Sequence, residues 1–405
     1  MATYKEQNKL NVPHLRFPEF HGEWEKCKLG DIATLTKGSG ISKDQRSATG
    51  TPCILYGELY TTYKSEVINY VVSKTDISDK NLVRSCANDI IIPSSGETAI
   101  DISTARCVLS PDVLLGGDLN IIRLKDGDGR FFSYQLNGVR KHDIAKIAQG
   151  VSVVHLYGES IKGLTVSFPS NKEQQKISTL LSLIDERIAT QSKLIEDLKK
   201  LKSAIIENVF DDKHSERLQL DNVGSYIRGL TYSSNDVVEH GGTLVMRSNN
   251  IVNGSLLDYN NNVVFVNKQM SAEQQLQNGD IVICMANGSS SLVGKSSFYD
   301  GNWHSPITVG AFCGIYRSKE PIVKWLFQTN KYRRYIWNSL QGGNGAIANL
   351  NGEDILNMSF SIPNAPIKDT CVKMLTSVDS ALENNMSLCA LYTLQKQHLL
   401  RQMFI

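Results

Sequence analysis

Over residues 171–210, apolar positions recur in alternating steps of four and three: Ile177, Leu181, Ile184 and Ile188, then Ile195, Leu198, Ile205 and Val209. This is a heptad seam broken at Gln191 and Lys202, and it predicts one long helix with an apolar stripe. The start signals are clear. Pro169 precedes the helix, Ser170 is placed to cap it, and Glu173 three residues later completes a capping box. Residues 365–404 repeat the pattern with Cys371, Leu375, Val378, Leu382, Cys389, Tyr392, Leu399 and Met403, and their breaks, Asn385 and Lys396, fall at the same two places. Matching polar breaks imply that the helices pack on each other, with those residues fixing register. The alternative is that each helix lies on its own domain. Forty residues at about 1.5 Å each give a rod of roughly 60 Å, long enough to act as a spacer.

The rest of the chain reads differently. Short β-branched runs such as Val67–Val72, Ile90–Ile92 and Val263–Val266 alternate with Gly, Asn and Ser clusters, predicting mixed α/β domains dominated by short strands. A helix-like stretch interrupts each, at Arg130–Ala148 and Ile322–Leu340. The halves are copies. Leu156-Tyr157-Gly158-Glu159-Ser160-Ile161 returns 194 residues later as Leu350-Asn351-Gly352-Glu353-Asp354-Ile355, and Asp185, Lys202 and Phe210 return as Asp379, Lys396 and Phe404. Nearer the start of each copy the offset is 191, with Gly38 meeting Gly229 and Asp89-Ile90 meeting Asp280-Ile281. The second copy therefore carries about three extra residues. The boundaries drawn are an N-terminal arm over 1–24, a first domain over 25–169, a central helix over 170–212, a second domain over 213–363 and a final helix over 364–405.

Composition narrows the chemistry. A net charge of +2 over 405 residues makes any nucleic-acid surface local. No run of about 18 apolar residues and no signal-peptide core are present, so a cytoplasmic location is expected. Eight scattered cysteines without Cys-x-x-Cys spacing argue against disulfides or a metal site. Catalytic motifs also fall short. Gly288–Ser296 has five residues between its glycines where a phosphate loop needs four, and Gly343-Asn344-Gly345-Ala346-Ile347-Ala348 follows a helical stretch where a dinucleotide fingerprint needs a strand. Ser94 or Ser95 with His155 could form a hydrolytic pair, yet the nucleophile-elbow spacing is missing. His14 and His21 read as packing residues. Catalysis by this chain alone is not expected.

The segment Val12-Pro13-His14-Leu15-Arg16-Phe17-Pro18-Glu19-Phe20-His21-Gly22-Glu23-Trp24, followed by Lys28-Leu29-Gly30-Asp31-Ile32, resembles the opening of a type I restriction–modification specificity subunit. The likeness extends over the chain through the two-fold repeat and through Pro169, Glu173 and Gln174 at the helix start. The resemblance implies an α+β chain with a pseudo-two-fold internal repeat: two tandem target-recognition domains separated by two long helices in an antiparallel coiled coil. It implies that each domain reads one half of a split double-stranded DNA target. It further implies that the helices dock two methyltransferase subunits and that two motor-nuclease subunits complete the complex. S-adenosylmethionine, ATP and Mg would be used by those partners, and none is expected on this chain. In one departure, the second helix begins Asn364-Ala365-Pro366-Ile367-Lys368-Asp369 and lacks the Glu-Gln pair, which puts identical partner contacts at both helix starts in doubt.

Base readout wants Arg or Lys for guanine, Asn or Gln for adenine and adaptable hydroxyls, carried on loops held by a rigid scaffold. Three segments per domain fit. In the first they supply Lys37 and Ser39; Ser94, Ser95, Glu97 and Thr98; Gln149 and Ser152. In the second they supply Arg228, Thr231 and Tyr232; Asn287, Ser289 and Ser290; Asn344. They occupy corresponding positions of the repeat and differ in residue type. Lys331-Tyr332-Arg333-Arg334-Tyr335 is a basic cluster interleaved with aromatics, and Arg140 aligns with Arg334, so Lys331, Arg333, Arg334 and Arg140 are candidates for phosphate contact. Ordinary solvated turns and an exposed helix face remain the bland alternative. The competing function is a stand-alone coiled-coil scaffold or regulator that binds protein partners without reading DNA.

Overall fold

The computed structural model describes residues 11–77, 81–210, 216–340 and 348–405. The chain forms two compact units, one of residues 1–193 with 386–405 and one of residues 194–385.

In the first unit, β1 (Ala33–Lys37), β2 (Asp89–Pro93), β3 (Ser95–Gly96), β4 (Leu119–Leu124) and β5 (Val154–His155) frame the domain. The main sheet runs β1, β4, β2, Arg106–Val108, Val67–Ile68, and β4 is antiparallel to both of its neighbours. Ile90, Ile91, Ile92, Ile121 and Ile122 are fully buried, so both faces of the central strands are covered. A bidentate pair between Arg123 and Asp89, at 2.8 and 2.7 Å, ties one end of this sheet. After the first long helix, α1 (Asn171–Val209), the second unit repeats the plan with β6 (Gly224–Arg228), β7 (Ile281–Cys284), β8 (Ala286–Asn287) and β9 (Cys313–Ser318). Its main sheet runs β6, β9, β7, Ser296–Phe298. Arg317 grips Asp280 at 2.8 and 2.6 Å, as Arg123 grips Asp89. The extra residues of the second copy enter between Phe298 and Cys313, against Cys107 to Leu119 in the first.

The helix-like stretches are each broken. Gly129–Asn137 and Lys141–Ile147 are separate helices, and Gly138 caps the first by donating its N–H to the Tyr134 carbonyl. In the second unit Val323–Leu326 precedes α2 (Asn330–Leu340), with the Thr329 hydroxyl accepting the Tyr332 N–H. Strand β10 (Ala348–Asn349) and the second long helix α3 (Ala365–Gln402) complete the chain. The run Val67–Val72 yields only the two-residue strand Val67–Ile68.

The seam residues divide by position. Ile177, Leu181, Ile184, Leu375 and Leu382 are buried, while Ile188, Ile195, Leu198, Val378, Tyr392 and Leu399 are half-buried. In the first unit Ile177 and Leu181 of α1 share a core with Trp24, Phe131, Met403 and Phe404, so the end of α3 packs beside the start of α1. Arg187 lies against Tyr392 there, and Ser192 against Cys389, an antiparallel register. The second unit mirrors this, with Cys371 and Leu375 of α3 in one core with Ile206, Val209, Phe210 and Trp325. Each helix therefore lies on a domain and against the other helix at once.

The lysine breaks are register pins. Lys396 pairs with Asp185 at 2.5 Å and with Glu66, while Asp185 also accepts from Tyr134 (2.7 Å) and Ser65 (2.8 Å). In the second unit Lys202 pairs with Asp379 at 2.7 Å and donates to the Gly254 carbonyl at 2.9 Å, and Asp379 also takes Lys324 (2.8 Å) and the Trp325 indole (3.1 Å). Burial pulls the Lys202 ammonium down and Asp379 only partly restores it, so its pKa is lowered. Burial acts on Lys396 too, but Glu66 and Asp185 together outweigh it, and its pKa is raised. The expected capping box at α1 gives way to a longer-range contact. The Glu173 carboxylate, 1% exposed, takes a bidentate pair from Arg16 of the N-terminal arm at 2.8 Å. Gln174 is buried against Pro169 and Asp128, so the Glu-Gln pair works inside the domain.

Candidate nucleic-acid interface

In the first unit the three segments singled out for base reading, and in the second unit the two that lie among the described residues, converge on one end of the main sheet. Lys37 ends β1 opposite Asn120 of β4, and Asn120 stands opposite Ile92 of β2. The chain then turns at Gly38, where a Cβ would meet the Gly116 carbonyl oxygen at 1.9 Å, so only glycine lets the backbones approach. Beyond β2 the Ser94 N–H donates to the Asp118 carbonyl at 2.7 Å, and β3 pairs antiparallel with β5. Gln149 and His155 exchange backbone hydrogen bonds at 2.9 and 2.7 Å, closing a loop that presents Val151, 96% exposed, with Ser152 and Val153.

The second unit uses the same frame. Arg228 ends β6 opposite Gly314 of β9, and a Cβ at Gly229 would meet the Gly310 carbonyl oxygen at 2.2 Å. Beyond β7 the Met285 N–H donates to the Phe312 carbonyl at 2.8 Å, and β8 pairs antiparallel with β10. The order of strands explains the clustering. β1, β2 and β4 are adjacent in space though far apart in sequence, so their loops emerge side by side.

Side chains at this end differ between the units and in their freedom. Lys37, Glu97, Thr98, Gln149 and Ser152 are exposed in the first, and Arg228, Thr231, Ser289 and Ser290 in the second. Ser39, Ser95, Tyr232 and Asn287 are half-buried. Several have structural duties. The Ser39 hydroxyl accepts the Val83 N–H at 2.7 Å, Thr98 caps the turn Ala99–Ile102 by accepting the Asp101 N–H, and Asn287 accepts the Ser289 N–H at 3.0 Å. Ser94 is buried, its hydroxyl directed at Asp118 at 3.5 Å, while the exposed His155 ring stacks on Tyr157. Ser94 is thus turned to Asp118, while Ser95 stands opposite His155 in the β3–β5 pairing, with no side-chain hydrogen bond between the two among the described residues. Lys295 and Ser296 lead into the strand Ser296–Phe298 and not into a helix whose N-terminus could take phosphate. Asn344 and most of Gly343–Ala348 lie outside the described residues.

The basic cluster resolves into an amphipathic helix. Tyr332 is fully enclosed and donates its hydroxyl to the Gly294 carbonyl at 2.8 Å, and Tyr335 donates to the Ser359 carbonyl at 3.0 Å. Arg333 and Arg334 point outward, with Trp337 exposed one turn on, and Lys331 is half-buried. Tyr332, Arg333 and Trp337 border a cleft of about 720 Å³ with Ser290, Ser291 and Asn349. Arg140 does not share that freedom. Its guanidinium pairs with Asp143 at 3.3 Å and donates to the Ile405 carbonyl at 2.9 Å, binding the end of α3 to the domain. The turns Gly116–Asp118 and Gly310–Phe312, which sit between two of the loops, carry no motif, and the sequence reading passed over them.

Residues 21–200 match the model of a family described as the type I restriction modification DNA specificity domain. The specificity subunit of the type I restriction enzyme EcoKI from Escherichia coli K12 is 35% identical over 155 residues, covering 36% of this chain and 31% of that one. The MjaVIII specificity subunit of Methanocaldococcus jannaschii is 26% identical over 213 residues, covering 52% and 46%. The chain thus spans less than half the length of these curated relatives. Among solved structures, the type I restriction-modification S subunit of M. genitalium superposes with a TM-score of 0.67 at 17% identity, over 97% of this chain and 99% of that one. A chain from a study of complex assembly and conformational transition of the type I system aligns with a TM-score of 0.50 at 12% identity, over 94% and 97%.

Proposed function

We propose that this chain, whose residues 21–200 match the type I restriction modification DNA specificity domain and whose fold is like that of the M. genitalium type I S subunit, reads a bipartite double-stranded DNA target, one half-site per domain. The observation that carries this reading is the shared frame. Each domain brings corresponding loops to one end of its main sheet, on the same strand pairing and the same close glycine contact, yet presents different side chains. Two copies of one scaffold addressing different half-sites need that combination. Arg333 and Arg334 add a phosphate-gripping face in the second domain. The long helices set the gap between half-sites.

The helices also carry exposed leucines, Leu183, Leu194 and Leu201 on α1 and Leu388, Leu391 and Leu394 on α3, which supports docking of two methyltransferase subunits there. Two motor-nuclease subunits join them in the restricting complex. Adenine methylation with S-adenosylmethionine and cleavage driven by ATP and Mg belong to those partners; this chain is non-catalytic, binds no cofactor and works in the cytoplasm. Half-sites lie roughly one helical turn, about 34 Å, apart.

The test is a matched four-residue insertion in the exposed middle of α1 and α3, assayed by selection from a duplex library with randomised spacers. Four residues add about 6 Å of helix, close to two base pairs at about 3.4 Å each. The selected gap should widen while both half-sites stay the same. Altered half-sites would sink the spacer account. An assembled complex that selects no sequence would favour the protein scaffold without DNA readout.

A further inference from the structure

We infer that Phe312 is a specificity-determining residue of the second domain, reading a thymine through its 5-methyl group. The inference rests on the DNA-reading function proposed above and deepens it at one position.

Phe312 occupies the centre of the loop cluster. Its carbonyl accepts the Met285 N–H at 2.8 Å and the Ala286 N–H at 3.1 Å, which fixes it to the loop after β7. On its other side Gly310 bridges Leu230, and the Gly229 N–H donates to the Cys313 carbonyl at 3.2 Å, which fixes the turn to the loop after β6. Val309 and Cys313, the residues bounding the turn, are buried. The backbone is therefore held from both flanks, while the aromatic side chain is 66% exposed. A solitary exposed phenylalanine is common on protein surfaces. One clamped between two candidate reading loops, with exposed Arg228 and half-buried Asn287 nearby, is in the place of a reader.

The first domain supplies the comparison. Its Ser94 N–H makes the equivalent bond to the Asp118 carbonyl at 2.7 Å, so Asp118 stands where Phe312 stands, and it too is exposed. One frame thus presents a carboxylate in one domain and a phenyl ring in the other. A ring offers no donor or acceptor to a base edge. What it can recognise in the major groove is the apolar 5-methyl of thymine, whereas a carboxylate at that place would accept from the cytosine amino group.

Uracil is thymine without that methyl, which makes the test chemical. The complex of the full chain with its methyltransferase subunit is assayed for binding to duplexes carrying its selected target, with each thymine of the second half-site replaced in turn by deoxyuridine. Wild type should lose roughly ten-fold in affinity at one thymine. Phe312→Ala should bind the two duplexes equally at that position, and Phe312→Leu should keep part of the discrimination. The first half-site, read by the other domain, is the internal control and should be unaffected in every variant. The inference is overturned if wild type discriminates at no thymine of the second half-site, or if Phe312→Ala discriminates as wild type does. A wild-type complex that selects neither half-site would instead bring down the DNA-reading function beneath it. The reverse replacement at Asp118 is avoided because its φ of 56° would strain an aromatic residue.

Discussion

Replacing Asp379 by Ala tests whether the lysine pins hold the long helices in register. Asp379 is 6% exposed at its side chain and Lys202 8%, so the pair is essentially out of water. Removing the carboxylate leaves Lys202 with the Gly254 carbonyl as its remaining acceptor here, and leaves Lys324 nearby as a like charge. Breaking a buried pair from one side costs about 3–5 kcal/mol, because the surviving charge stays buried and uncompensated. Lys324 softens this little, since it is more exposed and rests over the Phe298 ring at 3.6 Å. Asp185→Ala is the informative contrast. Lys396 would keep Glu66, and the loss would come instead from the Tyr134 and Ser65 hydrogen bonds to the carboxylate, about 3–6 kcal/mol together. Urea unfolding followed by tryptophan fluorescence reads both, and the Trp325 indole, bonded to Asp379, reports the site directly. An Asp379→Ala protein within about 0.5 kcal/mol of wild type, the range of an ordinary surface change, would refute the reasoning.

Other consequences are open to measurement. Because the Lys396 pKa is raised in the folded chain, its protonation stabilises folding at every pH below its ordinary value of 10.5, and that contribution is lost as pH climbs through the raised value. The stability gap between wild type and Lys396→Met should therefore be widest near neutral pH and shrink above pH 10.5; a gap that is constant with pH contradicts the assignment. Gly38→Ala and Gly229→Ala must each displace a backbone carbonyl, so both should lose roughly 1–3 kcal/mol in thermal or urea unfolding, whereas Gly40→Ala, with open space around it, should stay near neutral. Glu173→Gln should cost about 1.5–3 kcal/mol by weakening the charge-assisted grip on Arg16, and proteolysis should then cut the N-terminal arm sooner. Brief alkylation at pH 8 should label the exposed Cys86 first and spare Cys53, whose thiol burial pushes up to about 11; labelling of Cys53 at an equal rate would deny its burial.

The long helices were legible because a heptad repeat free of internal breakers is a local signal, and Lys202 and Lys396 marked their register before their partners were known. The repeat itself located the rest, since Asp89 with Arg123 and Asp280 with Arg317 are the same clasp twice. The capping box failed for a physical reason. Glu173 finds a guanidinium 157 positions upstream, and no local pattern encodes that. The surroundings of Arg140 were equally unreadable: it aligns by sequence with an outward arginine but donates to the Ile405 carbonyl, 265 positions away. The break at Gly138 was readable as a helix stop and was overrun by the apolar pattern around it. Convergence of the candidate loops depends on strand order, which places β4 between β1 and β2, and strand order is not written in any one segment.

The central claim is tested most directly by co-expressing the chain with the methyltransferase subunit proposed to dock on it and mapping methylated adenines across a bacterial genome by single-molecule sequencing. The account predicts one split motif, two short specific blocks separated by a fixed number of unread bases. An assembled complex that methylates no motif, or a single continuous one, would contradict it.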